Sequence, residues 1–209
     1  MNVPMRPAFF VNTAACSGCK ACQVACKDKN GLAVGVLWRR VVEVSGGRWR
    51  REGEAWVQDV FAYHVSVACN HCERPICVEA CPSGAMHRRE DGVVLVDGAK
   101  CLGCRYCAMA CPYGAPQYDP AAGRMTKCTL CEDELALGRP PACVAACPMR
   151  VLELVTREDA AARSDGAAEV FPLPPAGLTE PSLGLRPHAS AARGASEGRI
   201  ANREEDALP

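Results

Sequence analysis

Sixteen cysteines in a chain of 209 residues, gathered into four groups of four, leave few folds open. The first group is Cys16-x2-Cys19-x2-Cys22-x3-Cys26, and the third, Cys101-x2-Cys104-x2-Cys107-x3-Cys111-Pro112, repeats its spacing. The second, Cys69-x2-Cys72-x4-Cys77-x3-Cys81-Pro82, is two residues looser, and the fourth, Cys128-x2-Cys131-x11-Cys143-x3-Cys147-Pro148, carries a long insertion. A loop with Cys at every third position can wrap three thiolates around one face of an iron–sulfur cube. The fourth Cys then points elsewhere, and in two-cluster ferredoxins it ligates the other cluster. Groups of this kind therefore work in pairs. The proline after the last Cys of groups two, three and four sets the backbone direction there and supplies no N–H.

Groups two and three adjoin, share a Cys-Pro ending and are separated by the alternating segment Gly92–Asp97, which reads as a strand. They predict one cluster on Cys69, Cys72, Cys77 and Cys111, and a second on Cys101, Cys104, Cys107 and Cys81. Groups one and four lie more than a hundred residues apart and pair by elimination. The same rule gives them one cluster on Cys16, Cys19, Cys22 and Cys147, and another on Cys26, Cys128, Cys131 and Cys143. With Cys at every position, four complete [4Fe-4S] cubes can form, which favours electron transport over chemistry at an open iron.

Zinc also uses Cys-x2-Cys pairs, but with a longer interval between two pairs and four ligands in all. The apolar run Ala8–Val11 is too short for the core of a secretory signal, and no 18-residue apolar stretch occurs. A reducing compartment, which disfavours disulfides, and no transmembrane segment of its own are the expectation. A partner's export signal would carry such a subunit across a membrane, so the cytoplasmic or periplasmic face stays open.

Lys and Arg number 24 and Asp and Glu 24, and this neutral balance lacks the field that attracts nucleic acid. No G-x-G-x-x-G follows a strand, no Walker motif is present and no nucleophile–base set stands out, so the chain reads as a non-catalytic subunit. Lys20, Lys27, Arg105 and Lys127 adjoin ligand cysteines and are candidates for raising cluster potentials, against the plainer reading that they balance charge or face solvent. His71, between Cys69 and Cys72, reads as a hydrogen-bonding or surface residue, as do His64 and His87, because complete sets of cysteines leave no vacancy.

Val41–Val44, Ser45-Gly46-Gly47 and Trp56–Val67 read as an antiparallel hairpin turning at the glycines, with Trp49 and Trp56 a candidate partner surface. Short helices are predicted over Gly103–Ala110 and Thr129–Leu137, and a closing strand over Val151–Val155. From Asp159 the composition shifts to Ala, Pro, Gly, Ser and Arg, too poor in large apolar residues to build a core. The fold class is α+β: two ferredoxin-like two-cluster units in residues 1–158 with a β-hairpin insertion, then an extended C-terminal tail, 159–209, expected to be disordered alone and to lie on a partner.

The stretches Cys16-Ser-Gly-Cys19-Lys-Ala-Cys22, Cys69-Asn-His-Cys72-Glu, Cys81-Pro-Ser-Gly-Ala-Met-His87, Cys101-Leu-Gly-Cys104-Arg-Tyr-Cys107 and Ala110-Cys-Pro-Tyr-Gly-Ala-Pro-Gln-Tyr118 resemble the iron–sulfur subunits of dimethyl sulfoxide reductases. The resemblance extends to Phe171-Pro-Leu-Pro174 and Pro181 in the tail. These belong to the four-cluster subunits of molybdopterin oxidoreductases, which also serve thiosulfate, polysulfide, nitrate and formate enzymes. In some relatives the second Cys of group three is replaced, giving a three-iron cluster; Cys104 is present here, which implies four [4Fe-4S] clusters. The resemblance implies a peripheral subunit relaying electrons between a quinol-oxidising membrane anchor and a molybdopterin catalytic subunit. That catalytic subunit would reduce dimethyl sulfoxide; a relay subunit for another substrate (thiosulfate, polysulfide or formate) or a free-standing polyferredoxin is the alternative.

Overall fold

The structure, a computed structural model, describes residues 6–164 and 169–203. The chain opens with strand β1 (Pro7–Asn12) and helix α1 (Ala21–Lys29), followed by four strands, β2 (Arg40–Gly46), β3 (Trp49–Glu52), β4 (Ala55–Gln58) and β5 (Phe61–Val67). A central stretch alternates short helices with hairpins: α2 (Ile76–Glu79), β6 (Met86–Arg88), β7 (Val94–Val96), α3 (Tyr106–Ala110), β8 (Gln117–Asp119) and β9 (Arg124–Thr126). Then come α4 (Glu132–Ala136), α5 (Ala142–Ala145), β10 (Leu152–Thr156) and α6 (Arg157–Arg163), and finally β11 (Leu183–Arg186), α7 (Ala191–Glu197) and β12 (Arg199–Ile200).

The run Ala8–Val11 is the middle strand of a three-stranded sheet, β10-β1-β11, antiparallel on one side and parallel on the other. All four residues are buried, as a strand covered on both faces must be. Helix α6 packs over the sheet, where Arg163 stands 4.0 Å above the Phe10 ring. Phe9 and Val11 face the opposite way and join the principal core with Cys22, Cys143, Cys147 and Leu185. This sheet joins both ends of the chain to the cysteine loops.

The predicted hairpin is present but turns elsewhere. Strands β2 and β5 pair antiparallel from Arg40↔Val67 to Gly46↔Phe61, and β3 and β4 continue the same register out to Glu52↔Ala55. The tip is Gly53–Glu54, with Gly53 at φ +64°, where a two-residue turn favours glycine. Gly47 is instead a crossing point: a side chain there would strike the Asp59 carbonyl, so only glycine lets the strands pass. Beyond it the β3–β4 ribbon stands in solvent, with Trp49 60% and Trp56 66% exposed.

Other boundaries move inward. The helices predicted at Gly103 and Thr129 begin at Tyr106 and Glu132, because the residues before them form left-handed loops, and β7 pairs with β6, which had no alternation long enough to be read. The described part of the tail lies on its own chain. Leu183 and Leu185 are buried where β11 adds to β1, and β12 adds to the edge of β2. The Asn202 side-chain amide donates to Val41 O (2.8 Å) and its oxygen accepts from the Glu43 N–H (2.7 Å), closing that edge. The segment thus makes no core of its own and completes two others.

Candidate metal centres

Each cysteine loop makes the same local turn. The residue before the second Cys is left-handed in all four: Gly18 (φ +70°), His71 (+44°), Gly103 (+67°) and Leu130 (+62°). Glycine enters this region freely, whereas other residues lose roughly 1–2 kcal/mol. His71 and Leu130, 2% and 1% exposed, are held there by burial. In groups one and three the next turn is also left-handed, at Lys20 and Arg105, which open α1 and α3.

Four short helices, α1, α2, α3 and α5, each carry or adjoin two cysteines four residues apart. Helix α1 holds Cys22 and Cys26, α2 holds Cys77 with Cys81 just beyond, α3 holds Cys107 with Cys111 at its end, and α5 holds Cys143 with Cys147 beyond. Residues four apart lie on one face, about 6 Å along the axis at 1.5 Å per residue. A single helix therefore presents two thiols to two neighbouring sites. The helices meet in pairs, α1 against α5 and α2 against α3.

Between them the thiols converge in fours. Cys16 faces Cys22, Cys147 and Cys19, and the same four line one small cavity. Cys26 faces Cys143 and Cys131, and Cys128 faces Cys26 and Cys143. Cys72 and Cys77 both face Cys69 and Cys111. Cys107 faces Cys81, Cys101 and Cys104, and these four line another cavity. The sets stand in a row: Cys26 faces Cys22 along α1, Cys128 faces Cys69, and Cys77 packs with Cys81, Cys101 and Cys107. Cys19 and Cys104, one in each outer set, are exposed.

None of the sixteen cysteines is paired in a disulfide. No three His, Cys, Asp or Glu side chains among the described residues are placed to hold a single metal ion. Burial pushes Cys26 and Cys107 up to about 11 and Cys72 up to about 12, and drives Cys77 and Cys128 higher still. A bare thiolate is disfavoured in such places, and a bound cation reverses that preference, so the environment suits metal ligands. Cys81 differs: burial opposes its charge, but N–H donors led by Met86 (3.3 Å) lower it overall. Leu130 N–H donates to Cys128 at 3.3 Å and Met125 N–H to Cys101 at 3.4 Å. Hydrogen bonds to sulfur are one lever on iron–sulfur potentials.

The charged candidates separate. Lys127 is buried, its ammonium donating to Val94 O and, at 2.9 Å, to Cys128 O. Lys27 donates to Ala33 O (2.6 Å) outside the sites, and exposed Arg105 lies 4.0 Å over the Tyr118 ring. His71 is interior rather than surface, its Nδ1 accepting from the Val94 N–H at 3.1 Å; burial holds it neutral, far below the ordinary histidine range. The motifs missed Arg39 and Arg40, both 2% exposed, and the tail residue Thr179. Arg40 donates to Tyr113 O (2.6 Å) beside Cys111, and Thr179 hydrogen-bonds Cys72 while Ser182 Oγ donates to His71 O (3.0 Å). The adjacent arginines before a valine run were a visible signal, but burial was not.

Comparison with known proteins agrees with this geometry. A family model described as a 4Fe-4S dicluster domain matches residues 60–157. The B subunit of the anaerobic dimethyl sulfoxide reductase of Escherichia coli is 48% identical over 198 residues, 94% of this chain and 97% of the relative. The corresponding B subunit of Haemophilus influenzae is 43% identical over 199 residues, with the same two coverages. The formate dehydrogenase iron-sulfur subunit of Wolinella succinogenes is 34% identical over 200 residues, 81% of this chain and 95% of that one. With its sixteen cysteines and dicluster domain, the chain is fitted for four [4Fe-4S] clusters. It belongs to the family of anaerobic dimethyl sulfoxide reductase B subunits, the electron-transfer subunits of oxidoreductase complexes whose catalytic sites lie on another polypeptide.

Proposed function

We propose that the four clusters are held by Cys16, Cys19, Cys22 and Cys147; by Cys26, Cys128, Cys131 and Cys143; by Cys69, Cys72, Cys77 and Cys111; and by Cys81, Cys101, Cys104 and Cys107. The observation that carries this reading is the row of four-thiol sets, each joined to the next through thiols that face or pack together. Such clusters supply one-electron chemistry. The chain's own part is to hold sixteen thiolates, to keep those of the two inner sets buried or half-buried, and to bring the outer sets to the surface at Cys19 and Cys104. Around Cys104, Leu102, Tyr106 and Met109 are exposed, and on the side of Cys19 so are Val24 and Met149; these apolar residues suit docking to two partners.

In this reading the partners are a molybdopterin catalytic subunit and a quinol-oxidising membrane anchor, and the final acceptor is dimethyl sulfoxide. The names and near full-length match of the dimethyl sulfoxide reductase relatives support that acceptor, while the formate dehydrogenase relative keeps another substrate as the alternative. Among the described residues no helix is long and apolar enough to cross a membrane, so attachment would come through the anchor. We assign the clusters to residues 1–158; the expected extended tail is partly helical where it is described, since α6, α7, β11 and β12 lie in or run into it.

The test is anaerobic purification with whatever partners accompany the chain, followed by iron analysis and EPR of cysteine variants. Cys19→Ser and Cys147→Ser should alter the same signal and Cys131→Ser a different one. A Cys147→Ser change in the signal assigned to Cys131 would overturn the ligand sets. A stable monomer with no large molybdenum subunit would overturn the relay.

A further inference from the structure

Arg39 lies just before β2, and its environment is unusual for a cation. It is 2% exposed. Its Nη1 donates to Ser66 Oγ at 3.1 Å, and the same Ser66 oxygen lies 3.4 Å from Cys22 Sγ. The guanidinium carbon stands 4.4 Å above the Phe9 ring. Nη2 is buried with no hydrogen-bond partner among the described residues. The thiols of Cys143, Cys22, Cys128 and Cys26, which span two of the four sets, face it.

A buried cation without a counter-charge is strongly unfavourable, and one cation–π contact with one hydroxyl does not offset it. Arginine cannot escape by losing its proton. Its presence therefore requires negative charge nearby, which thiolate-ligated clusters provide. Resting on the ligand sets given above, we infer that Arg39 is the shared counter-charge of the Cys26/Cys128/Cys131/Cys143 and Cys16/Cys19/Cys22/Cys147 sites and raises their reduction potentials. Adding an electron to a buried anionic site costs Coulomb energy, and a fixed positive charge beside it lowers that cost. Lys127 is a different case, because Val94 O and Cys128 O already engage its ammonium. Arg39 is thus a positioning and tuning residue, not a ligand.

The experiment compares full-length wild type with Arg39→Lys, Arg39→Gln and Arg39→Met, each purified anaerobically with its partners. Iron content and EPR spin quantitation come first. Fewer than four clusters in the wild type would remove the ligand reading and this inference with it. With four present, EPR-monitored titration should show that Gln and Met lower the midpoint of the signal altered by Cys131→Ser. At the wild-type midpoint its reduced-to-oxidised ratio should fall about tenfold or more, equivalent to about 59 mV for one electron. Lys should recover most of the shift, and the signals assigned to groups two and three should stay in place. Unchanged midpoints in fully loaded Arg39→Gln would overturn the inference. Loss of the Cys131-dependent cluster from Gln and Met, with retention in Lys, would support it. Loss from all three would make Arg39 a packing residue and overturn it.

Discussion

The two helix pairs build similar thiol arrangements by different routes. The pair α2 and α3 is local: its two cysteine groups adjoin in the chain, and the hairpins β6–β7 and β8–β9 accompany them. The pair α1 and α5 is closed over a long distance, by β1, β10 and β11 in one sheet with Phe9, Val11 and Leu185 beneath it. Local closure costs little loop entropy, whereas joining distant groups needs a core to compensate it. The difference predicts that damage to the sheet should unload one pair of sites before the other.

Val11→Asp is the severest way to break that comparison. It puts an unpaired charge at a fully buried position in the middle strand and should cost about 3–5 kcal/mol. Iron analysis and EPR should show the signals of groups one and four lost while those of groups two and three persist. Simultaneous loss of all four would mean that the pairs are not separable. Leu185→Ala, also fully buried but on the tail's strand, should cost about 2–4 kcal/mol. Thermal unfolding should reveal that loss, and limited proteolysis should cut the tail faster; an unchanged tail would show that β11 does not hold it.

Smaller changes sharpen the other side. Thr179 bonds the Cys72 thiol, and its hydroxyl lies 3.5 Å from the Tyr113 hydroxyl. Thr179→Val should cost about 1 kcal/mol and lower the midpoint of the group-two cluster alone. A redox titration with all midpoints unmoved would remove the tail from that site. Glu73 accepts from Arg88 at 2.8 Å and Arg157 at 2.5 Å, tying the residue after Cys72 to β6 and α6. Burial opposes its charge, but Arg88 and then Arg157 outweigh it and hold the carboxyl below the usual range. A lowered folded value gives stability that is present above the unfolded value and lost as pH falls through the folded one. Glu73→Gln should therefore cost about 1 kcal/mol or less at neutral pH, and denaturant melts of the two proteins should converge in acid. Trp56→Ala, on the exposed ribbon, should change stability by less than about 0.5 kcal/mol; a large loss would show that the ribbon supports the fold.

Legibility in the sequence follows the same division. The alternation at Gly92–Asp97 and Val151–Val155 matched strands, and the glycine-bearing hairpin was found with its tip misplaced. Gly46-Gly47 has the composition of a turn, but Gly47 serves a crossing whose need for space comes from Asp59 across the ribbon. Ala8–Val11 is too short for a signal, and four apolar residues do not declare the strands they will pair with. The tail looked too polar for a core, which is true of it alone and ceases to matter once β1 offers an edge.

The spacing of the cysteines by itself determined their grouping in fours and that short helices would follow the cysteine loops, because both are consequences of nearby backbone geometry. Composition by itself set the neutral charge and the scarcity of aromatic side chains. The tertiary structure alone decided that Arg39 would be buried against four thiols, that His71 and Leu130 would be held in a turn glycine makes elsewhere, and that the tail would brace the loop after Cys69. Those outcomes depend on desolvation and contact between residues far apart in the chain, and neither quantity exists until the chain has closed.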